Sequence, residues 1–113
     1  MLVYRCYSPT GLLSRAAKSR IPRGISAIHT HMTRAPELHV NVLFREIADG
    51  DCLVAGQTAA HSYLFGLIRH GRDLDTRRQM LRQFSRMWAA ITGQEARWFA
   101  ENDSRPTELG MAT

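Results

Sequence analysis

A repeated order of strand, helix and strand is the feature that most constrains the fold of this chain. Its first copy opens with LVYRCY over residues 2–7, where β-branched and aromatic residues predict a strand. Ser14 then caps a predicted helix that runs to about Thr33. Alternating apolar residues predict a half-buried strand over about residues 38–46. This first segment is therefore predicted to be one β-α-β unit.

The second half of the chain repeats that order. A near-continuous apolar run, SYLFGLIR, is typical of a central strand. Asp73 or Asp75 caps a predicted helix over about residues 74–92, Gly93 ends it, and ARWFAE is predicted to be a short strand. The sequence thus predicts a single domain of two β-α-β halves followed by an irregular tail; the boundaries are about 2–47, 61–101 and 102–113.

Each predicted helix carries one apolar face. In the first, Pro22 interrupts the pattern and should kink or restart the helix. In the second, the apolar spacing is regular; its members are Met80, Leu81, Phe84, Met87, Trp88 and Ile91. Right-handed crossovers place both helices on one face of a sheet. The predicted fold class is therefore α+β, a tandem β-α-β four-stranded sheet whose uncovered face needs a partner, which indicates an oligomer.

Length and cysteine content limit the classes of protein that fit. At 113 residues the chain is long enough for one domain with a modest core, and no apolar run approaches a membrane span. The first residues lack the layout of a signal peptide. Cys6 and Cys52 are the only cysteines, and no cysteine or histidine spacing suggests a metal site. We expect a cytoplasmic protein with reduced thiols, no cofactor, no metal and no membrane partner.

The positive charge comes almost entirely from arginine. Fifteen basic residues oppose ten acidic ones, and Lys18 is the only lysine. The planar guanidinium binds carboxylates and phosphates through two parallel hydrogen bonds, so anionic ligands are favoured; composition bias and solubility are the alternative explanation. Arg78, Arg82 and Arg86 form a stripe that could follow phosphates. Because no aromatic stacking motif accompanies it, the solvated face of a helix is the favoured interpretation over nucleic-acid binding.

Three residues are candidates for binding a small anion. Arg69 and Arg72 follow the predicted central strand and could clamp a carboxylate, although such a pair is also typical of a solvated surface turn. His29 lies on or beside the apolar stripe of the first helix. It could donate to a substrate carbonyl or carboxylate, or it could be a core histidine bonded to a backbone carbonyl.

Taken together, the order and spacing of these segments resemble the tautomerase superfamily, and more narrowly the cis-3-chloroacrylic acid dehalogenase group. The resemblance runs from residue 2 to about residue 101 and is carried by LVYRCYSPTGLLS, VNVLFREIADGDCLVAGQ and LFGLIRHGR. It implies a homotrimer of tandem β-α-β chains whose active site uses an amino-terminal proline. It also implies that His29, Arg69 and Arg72 bind and polarise a substrate carboxylate, while a tyrosine and a glutamate handle the water.

The chain departs from that pattern at its amino terminus, where Leu2 matches the catalytic proline and should leave Met1 in place. Trp98 or Phe99 holds the position of the tyrosine, and Glu108 lies near the glutamate position. We therefore expect little or no tautomerase or dehalogenase activity but a retained pocket for a small carboxylate or 2-oxo acid. One alternative is an active isomerase or hydratase that uses the Met1 amine or another base; a further alternative is a basic nucleic-acid-binding module.

Overall fold

The computed structural model of the chain describes residues 2–34, 40–68, 73–94, 97–100 and 107–112. The elements in chain order are β1 (Leu2–Pro9), α1 (Arg15–Thr33), β2 (Val40–Ile47), β3 (Leu53–Val54), β4 (Gln57–Thr58), β5 (Tyr63–Ile68), α2 (Leu74–Thr92), β6 (Arg97–Ala100) and β7 (Thr107–Ala112). Among the described residues, five strands form one sheet in the order β2-β1-β5-β7-β6, and β3 and β4 form a separate hairpin. The predicted α+β class is confirmed.

The first β-α-β unit is present as predicted. β1 and β2 are parallel neighbours, with Leu2 opposite Val40 and Pro9 opposite Ile47, and α1 connects them. β1 also pairs antiparallel with β5. The apolar run of the second half is therefore the central strand of the sheet, as its composition predicted.

The second unit differs from the prediction because the tail contributes a strand. β7 lies between β5 and β6 and is antiparallel to both, so the sheet has five strands where four were predicted. The expectation of an irregular segment over 102–113 is wrong for Thr107–Ala112. The segment TELGMA contains a glycine and a glutamate and lacks a β-branched run, so it carries little local strand signal. Its conformation comes from hydrogen bonding to β5 and β6.

Ser14 caps the start of α1, since its Oγ accepts a hydrogen bond from the Ala17 amide at 3.0 Å. The helix then continues through Pro22 to its end at Thr33 without the predicted restart. Ile21 and Ile25, which lie before and after the proline, are both fully buried. We attribute the continuity to this packing, which offsets the one backbone hydrogen bond that proline removes.

Both helices pack on the same face of the sheet, as predicted. Tyr4 and Cys6 of β1 alternate into a shared core with Leu64 of β5; the helical members of that core are Ala17, Ile21, Ile25, Met80, Leu81, Phe84 and Trp88. The helices approach closely where Gly24 faces Met87, since a Cβ on Gly24 would lie 2.7 Å from the Met87 Cγ. The core therefore lies between one sheet face and two adjacent helices.

Within the part of the chain that the structure describes, neither α1 nor α2 combines the length and hydropathy needed to cross a membrane.

Candidate functional site

Three elements meet at one edge of the sheet. Tyr4 lies opposite Gly66 in an antiparallel pair, so the start of β1 and the end of β5 lie at the same edge. Ile68 in turn lies opposite Thr107. The start of β1, the end of β5 and the start of β7 therefore share this edge. α2 begins only a few residues after β5 ends, so we define the site edge as these strand ends together with the first turn of α2.

The structure brings some of the predicted site residues to this edge. Leu2 is half-buried at the start of β1, and Glu108 is the second residue of β7. Trp98, on β6, lies opposite Met111 of β7. Because Met111 is four residues along β7 from Thr107, Trp98 does not lie at the site edge. The other predicted residues, Met1, Arg69 and Arg72, lie outside the described residues.

His29 is buried in the core and bonded to the first strand. Its side chain is 2% exposed, and its Nδ1 lies 2.6 Å from the Tyr4 hydroxyl. Burial raises the pKa of the Tyr4 phenol, so this hydroxyl stays protonated near neutral pH. Donation from Tyr4 places the imidazole proton on Nε2, whereas acceptance by Tyr4 requires a proton on Nδ1. One partner of His29 is therefore the Tyr4 side chain.

The site edge also contains a buried cation that the sequence analysis missed. Arg77 is 6% exposed, and its Nε and Nη1 have no hydrogen-bond partner in the described structure. Hydrogen bonds from Thr76 hold the pKa of the Asp73 carboxyl below its usual range, and the Arg77 charge lowers it further. Arg77 therefore acts electrostatically at the amino-terminal end of α2. The sequence feature that could have indicated the burial of Arg77 is its position four residues before Leu81, in line with the apolar stripe of α2.

The other arginines of α2 face solvent. Arg78, Arg82 and Arg86 are all exposed, which fits the solvated helix face that the sequence favoured. Nucleic-acid binding by this stripe remains a prediction.

Two cavities lie at the end of β1 that is farther from the site edge. One, of about 300 Å³, is bordered by Asp49, Cys52 and His61; the other, of about 440 Å³, by Asp51, Cys52 and Tyr63. The two aspartates disfavour an anionic ligand there. Among the described residues, no group of three or more histidine, cysteine or acidic side chains could hold a metal ion. The arginine at the site edge makes that edge the better candidate for binding an anion.

Solved structures share this fold. The chain is similar to native Ps01740, with 37% identity over 81% of this chain and 82% of that one, and a TM-score of 0.79. It is also similar to N1, a member of the cis-3-chloroacrylic acid dehalogenase family, with 23% identity, coverage of 80% and 65%, and a TM-score of 0.74. A third structure is the Q0 fused 4-OT wild type symmetric trimer, with 21% identity, coverage of 81% and 75%, and a TM-score of 0.71. The last two likenesses concern the fold alone.

No curated protein matches the chain. The sequence profile of a family described as "Putative oxalocrotonate tautomerase enzyme" matches residues 1–103, which is most of its length. The paired β-α-β layout and the structural neighbours agree with that match. The chain therefore belongs to this family and, with it, to the tautomerase superfamily.

Proposed function

We propose that this protein binds a small carboxylate or 2-oxo acid at the site edge and has little or no tautomerase or dehalogenase activity. The observation that supports the proposal is the strand pairing: β5 is antiparallel to both β1 and β7, so the start of β1, the end of β5 and the start of β7 lie at one edge of the sheet. Arg69 and Arg72 follow β5 directly in the sequence. We propose that these arginines act together with the position of the family's catalytic proline.

The proposed loss of activity follows from the chemistry of position 2. A tautomerase moves a proton with a basic amine, and an amino-terminal proline supplies one. With Met1 retained, the nitrogen of Leu2 is an amide nitrogen and is not basic. The Met1 amine would lie one residue away, a displacement of about 3.8 Å, and proton transfer tolerates such a shift poorly.

The proposed binding roles follow the family resemblance. Arg69 and Arg72 would clamp the ligand carboxylate through paired hydrogen bonds. His29 would polarise the bound ligand. Glu108, the second residue of β7, would handle the water, and Trp98 would take the place of the family's tyrosine.

We also propose a homotrimer of single-domain chains. Two structural neighbours are described as trimers, one symmetric and one asymmetric. In this chain, Arg5, Tyr7 and Phe65 lie on the sheet face opposite the helices. Burying such a face against other copies would complete the fold, because a sheet with one bare face lacks a second layer.

The proposal is tested by an ultraviolet assay of the wild type, Leu2→Pro and Leu2→Ala with an enol pyruvate and with cis- and trans-3-chloroacrylate. Both small residues should allow Met1 removal, which mass spectrometry verifies, so Leu2→Ala controls for a new terminus with a primary amine. We expect an inactive wild type and turnover in Leu2→Pro that exceeds turnover in Leu2→Ala. Turnover by the wild type would instead support catalysis by the Met1 amine or another base.

Ligand binding is tested separately by isothermal titration of acrylate and pyruvate into the wild type, Arg69→Met and Arg72→Met. We expect binding to the wild type and a loss of about tenfold or more in affinity for each variant, because each removes a charge-assisted hydrogen bond. A wild type that binds neither ligand would show that the carboxylate pocket is absent.

A further inference from the structure

We propose that Arg77 is an additional anion-binding residue of the site edge, where its guanidinium takes the ligand carboxylate. This inference deepens the proposed function and rests on it. The starting observation is a buried cation with unsatisfied donors: Arg77 is 6% exposed, and its Nε and Nη1 are buried with no hydrogen-bond partner in the described structure. Its charge lowers the pKa of the Asp73 carboxyl, but that carboxylate supplies no hydrogen bond to these two nitrogens.

The chemistry of arginine makes this burial informative. A buried lysine or histidine can lose its proton, whereas the guanidinium stays charged under all physiological conditions. A buried charge without a partner is strongly destabilising, and a buried donor loses its hydrogen bonds to water. Thr30 and Ser85 also have buried hydroxyls without a partner, but these are neutral and less costly. An anion beside Arg77 would remove the largest unfavourable term among these groups.

The position of Arg77 fits an external anion. It lies in the first turn of α2, where side chains point back toward the helix start and free backbone N–H groups favour negative charge. The nearest acidic cap, Asp73, is exposed, and its Oδ1 accepts from the Thr76 amide at 2.6 Å. The Asp73 carboxylate is thus engaged in capping the helix. The proposed ligand carboxylate would therefore bind at this end of α2 and supply the acceptors that Asp73 does not.

The planar guanidinium also selects the chemical class of the ligand. Its donors match the two oxygens of a carboxylate through paired hydrogen bonds. Inorganic phosphate has oxygens at a similar spacing, but it is a larger, more highly charged and more strongly hydrated ion. Since Arg77 is almost completely enclosed, we assign the smaller planar anion to it.

The test compares the full-length wild type with Arg77→Met, Arg77→Lys and Arg78→Met. Arg78→Met is the matched control, because it removes the same charge from an exposed neighbour on the same helix. Isothermal titration and thermal unfolding are measured with acrylate, pyruvate and inorganic phosphate. We expect Arg77→Met to bind the carboxylates about 10- to 100-fold more weakly, Arg77→Lys to recover part of the loss, and Arg78→Met to bind like the wild type.

Thermal unfolding supplies a second readout. Without ligand, Arg77→Met should melt at or above the wild-type temperature, since a buried charge with unsatisfied donors has been removed. With ligand, only proteins that keep the arginine should gain thermal stability, because a ligand that binds the folded state stabilises it. An Arg77→Met protein that fails to fold while Arg78→Met folds would show that Arg77 serves the fold itself, and would overturn the proposal.

The remaining outcomes separate this inference from the proposed function. If the wild type binds carboxylates and Arg77→Met binds them equally well, Arg77 is not a binding residue and the pocket proposal stands. If the wild type binds no carboxylate, both proposals fail. If the wild type responds to phosphate alone, the assignment of a carboxylate to Arg77 is wrong.

Discussion

The hydrogen bond between Tyr4 and His29 joins the first strand to the first helix inside the core. The two rings also meet edge to face, with their centroids 5.6 Å apart. A Cβ on Gly66 would collide with the Tyr4 ring, so the glycine of the central strand leaves room for it. The position of His29 therefore depends on a side chain two residues from Leu2, which links the core to the site edge.

This linkage predicts a cost for Tyr4→Phe. The change keeps the ring and removes the hydroxyl, which leaves the buried His29 Nδ1 without this partner. We expect the free energy of unfolding to fall by about 1–2 kcal/mol, measured by urea denaturation. Tyr7→Phe is the control, because it removes a half-buried tyrosine hydroxyl on the opposite sheet face. Equal decreases in the free energy of unfolding of the two variants would show that the hydrogen bond to His29 adds no stability of its own.

At the scale of elements, α2 shows which features are encoded locally. Asp73 caps the helix, the apolar stripe runs along it, and Gly93 ends it in the left-handed region with φ 79°. All three signals lie within or beside the helix, so the predicted span of about 74–92 is confirmed.

Two features could not be predicted in this way. β7 is a strand because β5 and β6 pair with it, and no local pattern reports pairing with distant strands. Arg77 is buried because of the way α2 packs, while polarity alone places any arginine at the surface. Both features involve the site edge, so the sequence predicted this edge less completely than the rest of the fold.

The cap of α2 gives a prediction with a pH dependence. Asp73→Ala removes the acceptor for the Thr76 amide and should lower the melting temperature by about 3–6 °C at pH 7. In the folded protein the pKa of Asp73 lies below its ordinary value of 3.8. The stabilisation is therefore complete above that value and is lost as the pH falls through the lower folded value.

Thermal unfolding at several pH values tests this expectation. The difference between the wild type and Asp73→Ala should be constant from neutral pH to about pH 5 and should shrink below about pH 4. Asp75→Ala is the control, since it removes a carboxylate from the same turn that bonds Gln79 and does not cap the helix. A difference that grows on acidification would contradict the assigned role.

At the scale of the whole molecule, the sheet presents an aromatic and apolar face that no described helix covers. Tyr7 meets Phe65 edge to face at 6.0 Å, and Tyr63 stacks parallel to Phe65 at 6.3 Å. The Arg5 guanidinium lies 5.6 Å from the centre of the Phe65 ring. On the neighbouring strand Leu43 is 52% exposed. Exposed apolar surface of this kind is typical of an interface between subunits.

We therefore expect Leu43→Asp to break the proposed trimer. The wild type should sediment at about three times the 12.8 kDa chain mass at micromolar concentration, while the variant sediments as a monomer with unchanged helix content. The monomer should tolerate the change because Leu43 contributes little to its core, whereas a charge buried between subunits is costly. Leu12→Asp, in the turn after β1 and 36% exposed, is the control and should remain trimeric. A wild type that sediments as a monomer would refute the trimer, and the bare sheet face would then need another explanation.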